Sequence, residues 1–469
     1  MSIVTESVKK ENSLSTAFQT DGLKTTTKAE KFLYSLGDVG SNFVWTFAAS
    51  FLTLYYTDSA GISAAFIGTM MLVARLLDGI SDIAVGIMID KTKTRWGKAR
   101  PWLLFTVVPF ALSLVLLFNV PGGFSESAKN AYVAGTYIFM VVIYTALNLP
   151  YHAMLPLISK SSQDRNTVST VRMIVSLIVI VFISYFTIPL VTAFGGTKSQ
   201  GAWLTISEIY AVLAFICIIA TFLGVKEKVS AITENEKKVS VKEALHVLFS
   251  NRYFYIAVLL FFATYISNGS TGIGIYYAKD VLGNGNIFGT LSIMTLLPLI
   301  IGMPIAPQLF KKFGKRNVML YGLAIAIISN ALMFINPANA VLLITLTAIR
   351  SIGIVPMTVA IFTLASDIVE YNEWKTGIRA EGITTSANVF GMKLGTGIGS
   401  ALLGWLLAWG HYDGALTTQP QSAITAMIVL QIGVPLIVYI LSFILILFWN
   451  MEKYQPQIQE YMISKDPSI

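Results

Sequence analysis

The chain has 469 residues, 55% of them hydrophobic and only 12% charged, with a mean hydropathy of +0.68. Soluble domains carry about 25% charged residues, so this composition excludes a water-solvated globular protein and points to lipid as the solvent. The net charge of +8 does not indicate nucleic acid, because the basic residues sit in short segments between apolar runs, where they orient a membrane protein.

Residues 1–30 are rich in Ser, Thr and Lys and contain no apolar core of a signal peptide, so a disordered cytoplasmic tail is expected there. A spanning helix needs roughly 20 mainly apolar residues. That rule predicts twelve spans, at 31–57, 63–90, 101–119, 129–157, 168–194, 203–225, 253–279, 287–310, 316–335, 339–369, 380–410 and 420–449. The fold class expected is an all-α polytopic membrane protein. Basic residues collect on the side that carries both termini. The opposite side has only Lys129, Lys198 and Lys279, and the spans hold Arg75, Arg172, Arg350 and Lys393. Both termini are therefore expected in the cytoplasm.

The connection 226–252 divides the chain into a first half, 31–225, and a second, 253–449, with a tail over 450–469. Within it, Ser240-Val241-Lys242-Glu243 has the form of a capping box, so a short amphipathic helix is expected along the inner face. The basic run Lys91 to Lys98 after span two is echoed by Lys311 to Arg316 after span eight. Two six-helix halves with matching loops suggest the major facilitator architecture, whose substrate site lies near the midplane between halves.

Cys217 is the one cysteine, which excludes disulfides, and the three histidines are far apart in sequence. No GxxxxGK[ST] phosphate loop occurs, so ATP-driven transport is not expected. The glycines between Gly395 and Gly399 lie inside an apolar helix and do not form a dinucleotide site.

Each ionisable group inside a span costs about 2.5–3.5 kcal/mol on insertion scales and so needs a reason. Span two holds Arg75, Asp78 and Asp82, and steps of three and four put them on one helical face. An ion pair between Arg75 and Asp78 leaves Asp82 uncompensated, so a cation site is expected, with Ser81 and Thr145 as hydroxyl ligands. Such oxygens suit Na⁺, and a carboxylate equally accepts H⁺; no other metal is expected. In span four Tyr144, Asn148 and His152 are spaced by four and form a polar, partly aromatic stripe of the kind that holds sugars. Asn42 on span one and Arg172 on span five extend it, although helix–helix hydrogen bonding accounts for such residues equally well. Lys393 on span eleven lies among Gly391, Gly395, Gly397 and Gly399, and is expected to pair with Asp78 or Asp82 across the halves. Asp367, Glu370, Arg379 and Glu381 cluster at the inner end of spans ten and eleven. They are either a solvated loop or an inner gate that pairs with Lys91, Arg95 or Arg100 in the outward-facing state.

Several runs resemble the glycoside–pentoside–hexuronide:cation symporter family: Gly37 to Asn42, Tyr55 to Asp58, Val73 to Asp82, Arg95 to Trp102, Asn148 to Tyr151 and Asp367 to Tyr371. The resemblance covers roughly residues 30 to 450. It implies a major facilitator fold and symport of a glycoside with Na⁺ or H⁺. By the same resemblance Asp78 and Asp82 bind the cation with help from Thr145, and Arg172 and Lys393 match the family's functional arginine and lysine; Arg75 is counted with them among the expected sugar-binding residues. Melibiose carriers have acids where this chain has Asn42 and Asn148, and a tryptophan at His152. The asparagines are more like the xyloside and glucuronide branches, which favours a pentoside or hexuronide.

The expected function is thus uptake of a glycoside by alternating access, in a monomer of the plasma membrane, with no cofactor beyond the co-transported ion. A lysolipid or other amphiphile carrier and a sugar sensor on the same scaffold are the alternatives. A membrane-embedded enzyme would need a metal or nucleophile constellation, and none is visible in the sequence.

Overall fold

The computed structural model describes residues 26–159, 161–228, 247–378 and 381–465. In lipid every backbone N–H and C=O must be satisfied within the chain, which leaves helices as the spanning element for such apolar runs. The first six are α1 (Lys28–Leu54), α2 (Ala64–Lys91), α3 (Arg100–Leu117), α4 (Glu126–Ile158), α5 (Ser162–Ala193) and α6 (Gln200–Gly224). The second six begin with α7, in two pieces, Arg252–Gly269 and Ile273–Tyr276. They continue with α8 (Ile287–Gly302 and Ala306–Phe313, bent by 57°), α9 (Lys315–Leu332), α10 (Ala340–Thr376) and α11 (Glu381–Trp409). The last, α12, is split into Gln421–Ile428 and Val434–Leu447, and a short α13 (Gln455–Lys465) ends the described chain.

Helix starts follow local chemistry. Thr27 accepts a bond from the Glu30 amide at 3.1 Å while the Glu30 carboxylate accepts from the Thr27 amide at 2.8 Å, a reciprocal cap that opens α1. Ser125, Ser161, Ser199, Asn251 and Asn339 cap α4, α5, α6, α7 and α10 in the simpler one-bond form.

Among the described residues, nine helices are long and apolar enough to cross a membrane, ten when the two pieces of α8 count together. The long helices outside that set are α1 and α2, of 27 and 28 residues. They have the length, but Asp38, Ser41 and Asn42 dilute α1, and Arg75, Asp78 and Asp82 dilute α2. Both carry residues of the candidate site.

The expected middle-loop helix falls largely outside the described residues, which resume in a short helical turn at Val247. On either side of that gap the same devices appear twice. The Glu227 carboxylate accepts from the amides of Lys98, Ala99 and Arg100 at the start of α3, and Arg100 Nη2 donates to Phe222 O at the end of α6. In the second half Glu452 accepts from the Arg316 amide at the start of α9, and Arg316 Nη2 donates to Leu447 O at the end of α12. Likewise α1 runs into a π turn at Tyr55–Ser59 and α7 into one at Tyr277–Val281, each carrying an acid, Asp58 and Asp280.

The halves meet mainly through α2 against α11 and α5 against α8. Glycine makes the first contact possible: a Cβ on Gly404 would overlap Ala64 O on α2. Gly397 lies over Arg75 in the same interface, whereas Gly395 and Gly399 face α7. Polar contacts between the halves lie at mid-span or at the end away from the chain termini. At that far end Lys279 Nζ is 2.5 Å from Asp58 Oδ2, Tyr412 donates to Asp58 Oδ1 at 2.7 Å, and Thr57 bonds Tyr276 at 2.8 Å.

Candidate cation and sugar site

The face of α2 that carries Arg75, Asp78 and Asp82 turns toward α4 and α11, and all three charges find partners there. Lys393 Nζ on α11 lies 2.5 Å from Asp82 Oδ2 and 3.0 Å from Asp78 Oδ2, and 3.3 Å from the Asp78 carbonyl. Arg75 Nη1 is 3.6 Å from Asp78 Oδ2. Thr145 on α4 donates to the other Asp78 oxygen at 2.8 Å. The Ser81 hydroxyl donates to the Asp78 carbonyl at 2.9 Å, which leaves its oxygen 3.5 Å from that of Thr145. Two carboxylates and two cations thus close a neutral cluster. Asp78 is 6% exposed, and the Asp82 side chain is 34% exposed. The oxygen set of Asp78, Asp82, Thr145 and Ser81 is hard and anionic, the donor chemistry that suits Na⁺ or a proton.

Arg75 also lies over the Trp45 ring at 4.2 Å, and Trp45 packs on Tyr144 at 4.5 Å. Trp45 is on α1, and steps of four and three put Asp38, Asn42 and Trp45 on one face of that helix. This stripe joins the ion cluster to a second polar group. There Asn42 donates to Ser176 Oγ on α5 at 2.7 Å and accepts from Thr46 at 3.1 Å. Arg172 Nη1 is 2.7 Å from His152 Nδ1, and Arg172 Nε is 4.0 Å from Asp38 Oδ2. A guanidinium only donates, so His152 Nδ1 must accept, and the ring is neutral with its proton assigned to Nε2.

Beside this group opens a cavity of about 410 Å³ lined by Asp38, Asn166, Ser169, Thr170, Arg172 and Ser176 with two apolar residues of α5. Of the residues expected to hold sugar, Arg172 lines it directly, while Asn42 and His152 hydrogen-bond to Ser176 and Arg172. Asn148 is buried between α4 and α1, where it accepts from Ser41 at 3.4 Å and its Nδ2 finds no partner. Tyr144 belongs to the Trp45 stack, and Arg75 and Lys393 to the ion cluster.

The expected gate residues are dispersed. Asp367 takes Lys315 of its own half at 2.5 Å, Arg100 is held at the end of α6, and Arg95 lies over Trp96. Among the described residues no ion pair joins Lys91, Arg95 or Arg100 to Asp367. Glu370 and Glu381 each have a partner, and Arg379 lies outside the described residues. Asp38, Trp45 and Ser176 were not singled out by the sequence reading. The signal for Asp38 was its place one turn before Asn42, and for Trp45 its place one turn after it.

Comparison with known proteins agrees with this architecture. A family model described as MFS/sugar transport protein matches residues 33–453. An isoprimeverose transporter of Lactiplantibacillus pentosus is 34% identical over 435 residues, covering 92% of this chain and 90% of that protein. A glucuronide carrier protein homolog of Escherichia coli K12 is 29% identical over 395 residues, covering 83% and 85%. Among solved structures, an inward-facing, unoccupied bacterial homolog of the human lysosomal transporter Spinster superposes with a TM-score of 0.65 at 12% identity. It covers 89% of this chain and 95% of that one, and shows the shared fold. The chain belongs to the MFS/sugar transport protein family, of the glycoside–pentoside–hexuronide:cation symporter type, and is a multi-pass membrane transporter of sugars rather than an enzyme.

Proposed function

We propose that the protein imports a glycoside together with Na⁺ or H⁺ by alternating access. The observation that carries this reading is the Lys393 ammonium lodged between Asp78 and Asp82 at 3.0 and 2.5 Å. It is a tethered cation in a site of cation-binding oxygens, and it comes from the other half of the molecule. An entering Na⁺ or proton competes with Lys393, so cation binding loosens an inter-half contact at mid-span. The Trp45 and Asn42 face of α1 runs from this cluster to the polar cavity, which supplies a physical route for coupling. By linkage, any gain in sugar affinity on cation binding is matched by an equal gain in cation affinity on sugar binding.

The sugar sits in this reading among Asp38, Asn42, His152, Arg172 and Ser176. Six of the eight residues that line the cavity carry polar side chains, which offers a polyhydroxyl ligand hydrogen-bond partners. The 34% identity to a transporter named for isoprimeverose supports a glycoside. With both termini in the cytoplasm, as the loop charges indicate, the far-end contacts of Asp58, Lys279 and Tyr412 close the outer side, and the conformation is inward-facing. In this reading Lys91, Arg95, Asp367, Glu370 and Glu381 come together when the inner side shuts. The protein acts as a monomer in the plasma membrane and needs no cofactor beyond the co-transported ion.

The test is uptake of labelled xylosides, glucuronides and galactosides into vesicles, with Na⁺ and pH gradients imposed separately. At least one glycoside accumulates with one gradient; accumulation of none under either gradient sinks the reading.

A further inference from the structure

We propose that Trp45 is a positioning residue for the ion site: its indole holds the Arg75 guanidinium off Asp78, which keeps that carboxylate free to exchange cations. The inference rests on the cation-coupled reading above and adds the residue that stops a fixed charge from blocking the site.

Arg75 and Asp78 are three residues apart on α2, a spacing at which an arginine and a carboxylate readily meet. Charge-assisted pairs of this kind close to about 2.7–2.9 Å. Here Arg75 Nη1 stops 3.6 Å from Asp78 Oδ2, beyond a hydrogen bond. The Arg75 side chain is only 11% exposed, and its Nε–H is buried without a hydrogen-bond partner among the described residues. The guanidinium lies instead over the Trp45 ring, 4.2 Å from its centroid. Of the aromatic side chains indole attracts a cation best, and the attraction grows as water is excluded.

The indole is itself braced. Tyr144 of α4 packs on it with ring centroids 4.5 Å apart, and the buried Phe110 of α3 packs on Tyr144 at 6.2 Å. On the α11 side Gly397 leaves room for the Arg75 stem, since a Cβ there would come within 3.1 Å of Arg75 Cβ. The arginine is thus seated by its stem and its face rather than by the carboxylate.

The seat matters because Asp78 has no oxygen to spare. Its Oδ1 accepts from Thr145 at 2.8 Å, and its Oδ2 faces Lys393 at 3.0 Å. An arginine fork bonded to the same carboxylate would occupy both oxygens, and a guanidinium does not give up its charge. Lys393 belongs to the other half and withdraws as the halves move, whereas Arg75 stays on α2 beside the acid. Without the indole, Arg75 closes on Asp78 when Lys393 leaves and holds the place an entering ion needs. With it, Arg75 offsets the charge of the site at a distance and leaves the oxygens open.

The test is a double-mutant cycle on the purified protein. Ion affinity is measured by calorimetric titration with NaCl at fixed pH and with acid in Na⁺-free buffer, each corrected by the Asp82→Asn variant. Trp45→Leu keeps an apolar side chain but no π face, and weakens binding of the coupling ion about fivefold or more. Trp45→Phe keeps a ring of weaker attraction and falls between leucine and wild type. Arg75→Gln removes the competing charge and tightens ion binding. In the Arg75→Gln background either Trp45 substitution changes ion affinity by less than about twofold. A merely structural indole would give neither the opposite signs nor this coupling, and melting curves show which variants fold. Wild-type ion affinity in folded Trp45→Leu overturns the proposal. So does an equal loss with and without Arg75, which makes the indole a packing residue. If Trp45→Leu does not fold, Trp45→Phe in the two backgrounds decides on the same terms. Binding of neither Na⁺ nor a proton by the wild type instead overturns the cation-coupled reading, and this proposal falls with it.

Discussion

Lys393 on α11 and Asp82 on α2 approach to 2.5 Å across the interface between the halves, and the same ammonium reaches Asp78 at 3.0 Å. A charge in that position costs desolvation on both sides of the pair, and deleting one partner strands the other. The Asp82 side chain stays 34% exposed, so water screens part of the effect. The contact is therefore suited to be exchanged rather than to hold the fold.

Lys393→Ala removes the tethered competitor and leaves Arg75 as the one compensating cation. Cation affinity is expected to change by about tenfold or more, and gradient-driven glycoside uptake to fall by at least that factor. Calorimetric titration of Na⁺ and of protons, with and without glycoside, checks both numbers. Unchanged cation and sugar binding in this variant would remove Lys393 from the mechanism.

Asp78 and Asp82 differ in what surrounds them, and their neutral variants should differ accordingly. Asp82→Asn loses one exposed partner of Lys393, so the protein folds and binds sugar but loses its cation dependence. Asp78 is buried and serves Lys393, Arg75 and Thr145 together, so Asp78→Asn also lowers thermal stability. Thr145→Ala removes one hydrogen bond to a charged oxygen, worth about 1.5–3 kcal/mol, and weakens cation binding roughly tenfold or more. A matched set of melting curves and cation titrations distinguishes the three. Equal behaviour of Asp78→Asn and Asp82→Asn would contradict the geometry.

The outer closure offers a separate test. Asp58 has a side chain only 1% exposed and is shared by Lys279 and Tyr412. Lys279→Ala leaves that carboxylate buried without its cation, which destabilises the closed outer end and shifts the population toward outward-facing. A cysteine at the buried Thr53 of α1, introduced by Thr53→Cys in a Cys217→Ser background, reports the shift. Its labelling by an impermeant thiol reagent from outside is expected to rise about fivefold or more with Lys279→Ala. No change in labelling rate would show that these contacts do not hold the outer end shut.

The fold was legible because its cause is compositional. Apolar runs of spanning length must become helices in lipid, and α3 to α12 follow the spans read from hydropathy closely. The charges of α2 stood out for the same reason, since Arg75, Asp78 and Asp82 interrupt such a run. What escaped was whatever sat where polarity seemed ordinary. Asp38 lies inside a motif of α1 among other polar residues, so its charge does not stand out in the sequence. Hydropathy puts Asp58 in the short connection between spans 31–57 and 63–90, because nothing in the sequence reveals that a π turn extends the helix through it. Asn148 was read by its spacing with Tyr144 and His152, yet the helix rotation that buries it against Ser41 depends on how α1 packs. Spacing assigns a face; packing decides what that face meets.

The doubled capping device makes a final prediction about stability. Glu227 takes three backbone amides at the start of α3, and those amides would otherwise face the low-dielectric end of the helix unpaired. A carboxylate there also meets the positive end of the helix dipole. Its counterpart Glu452 takes the Arg316 amide at the start of α9. Each ties the end of a six-helix half back to that half's third helix, so each closes its half into a unit. Glu227→Ala is expected to cost about 1–3 kcal/mol and Glu452→Ala less, because it satisfies fewer donors. Glu227→Gln keeps an acceptor oxygen and should recover part of the loss. Thermal unfolding of the purified protein in detergent measures all three. Because the devices lie in separate halves far from the ion cluster, the double variant should lose about the sum of the single losses, with cation affinity unchanged. A melting temperature for Glu227→Ala equal to that of the wild type would show that water, not Glu227, satisfies the α3 amides.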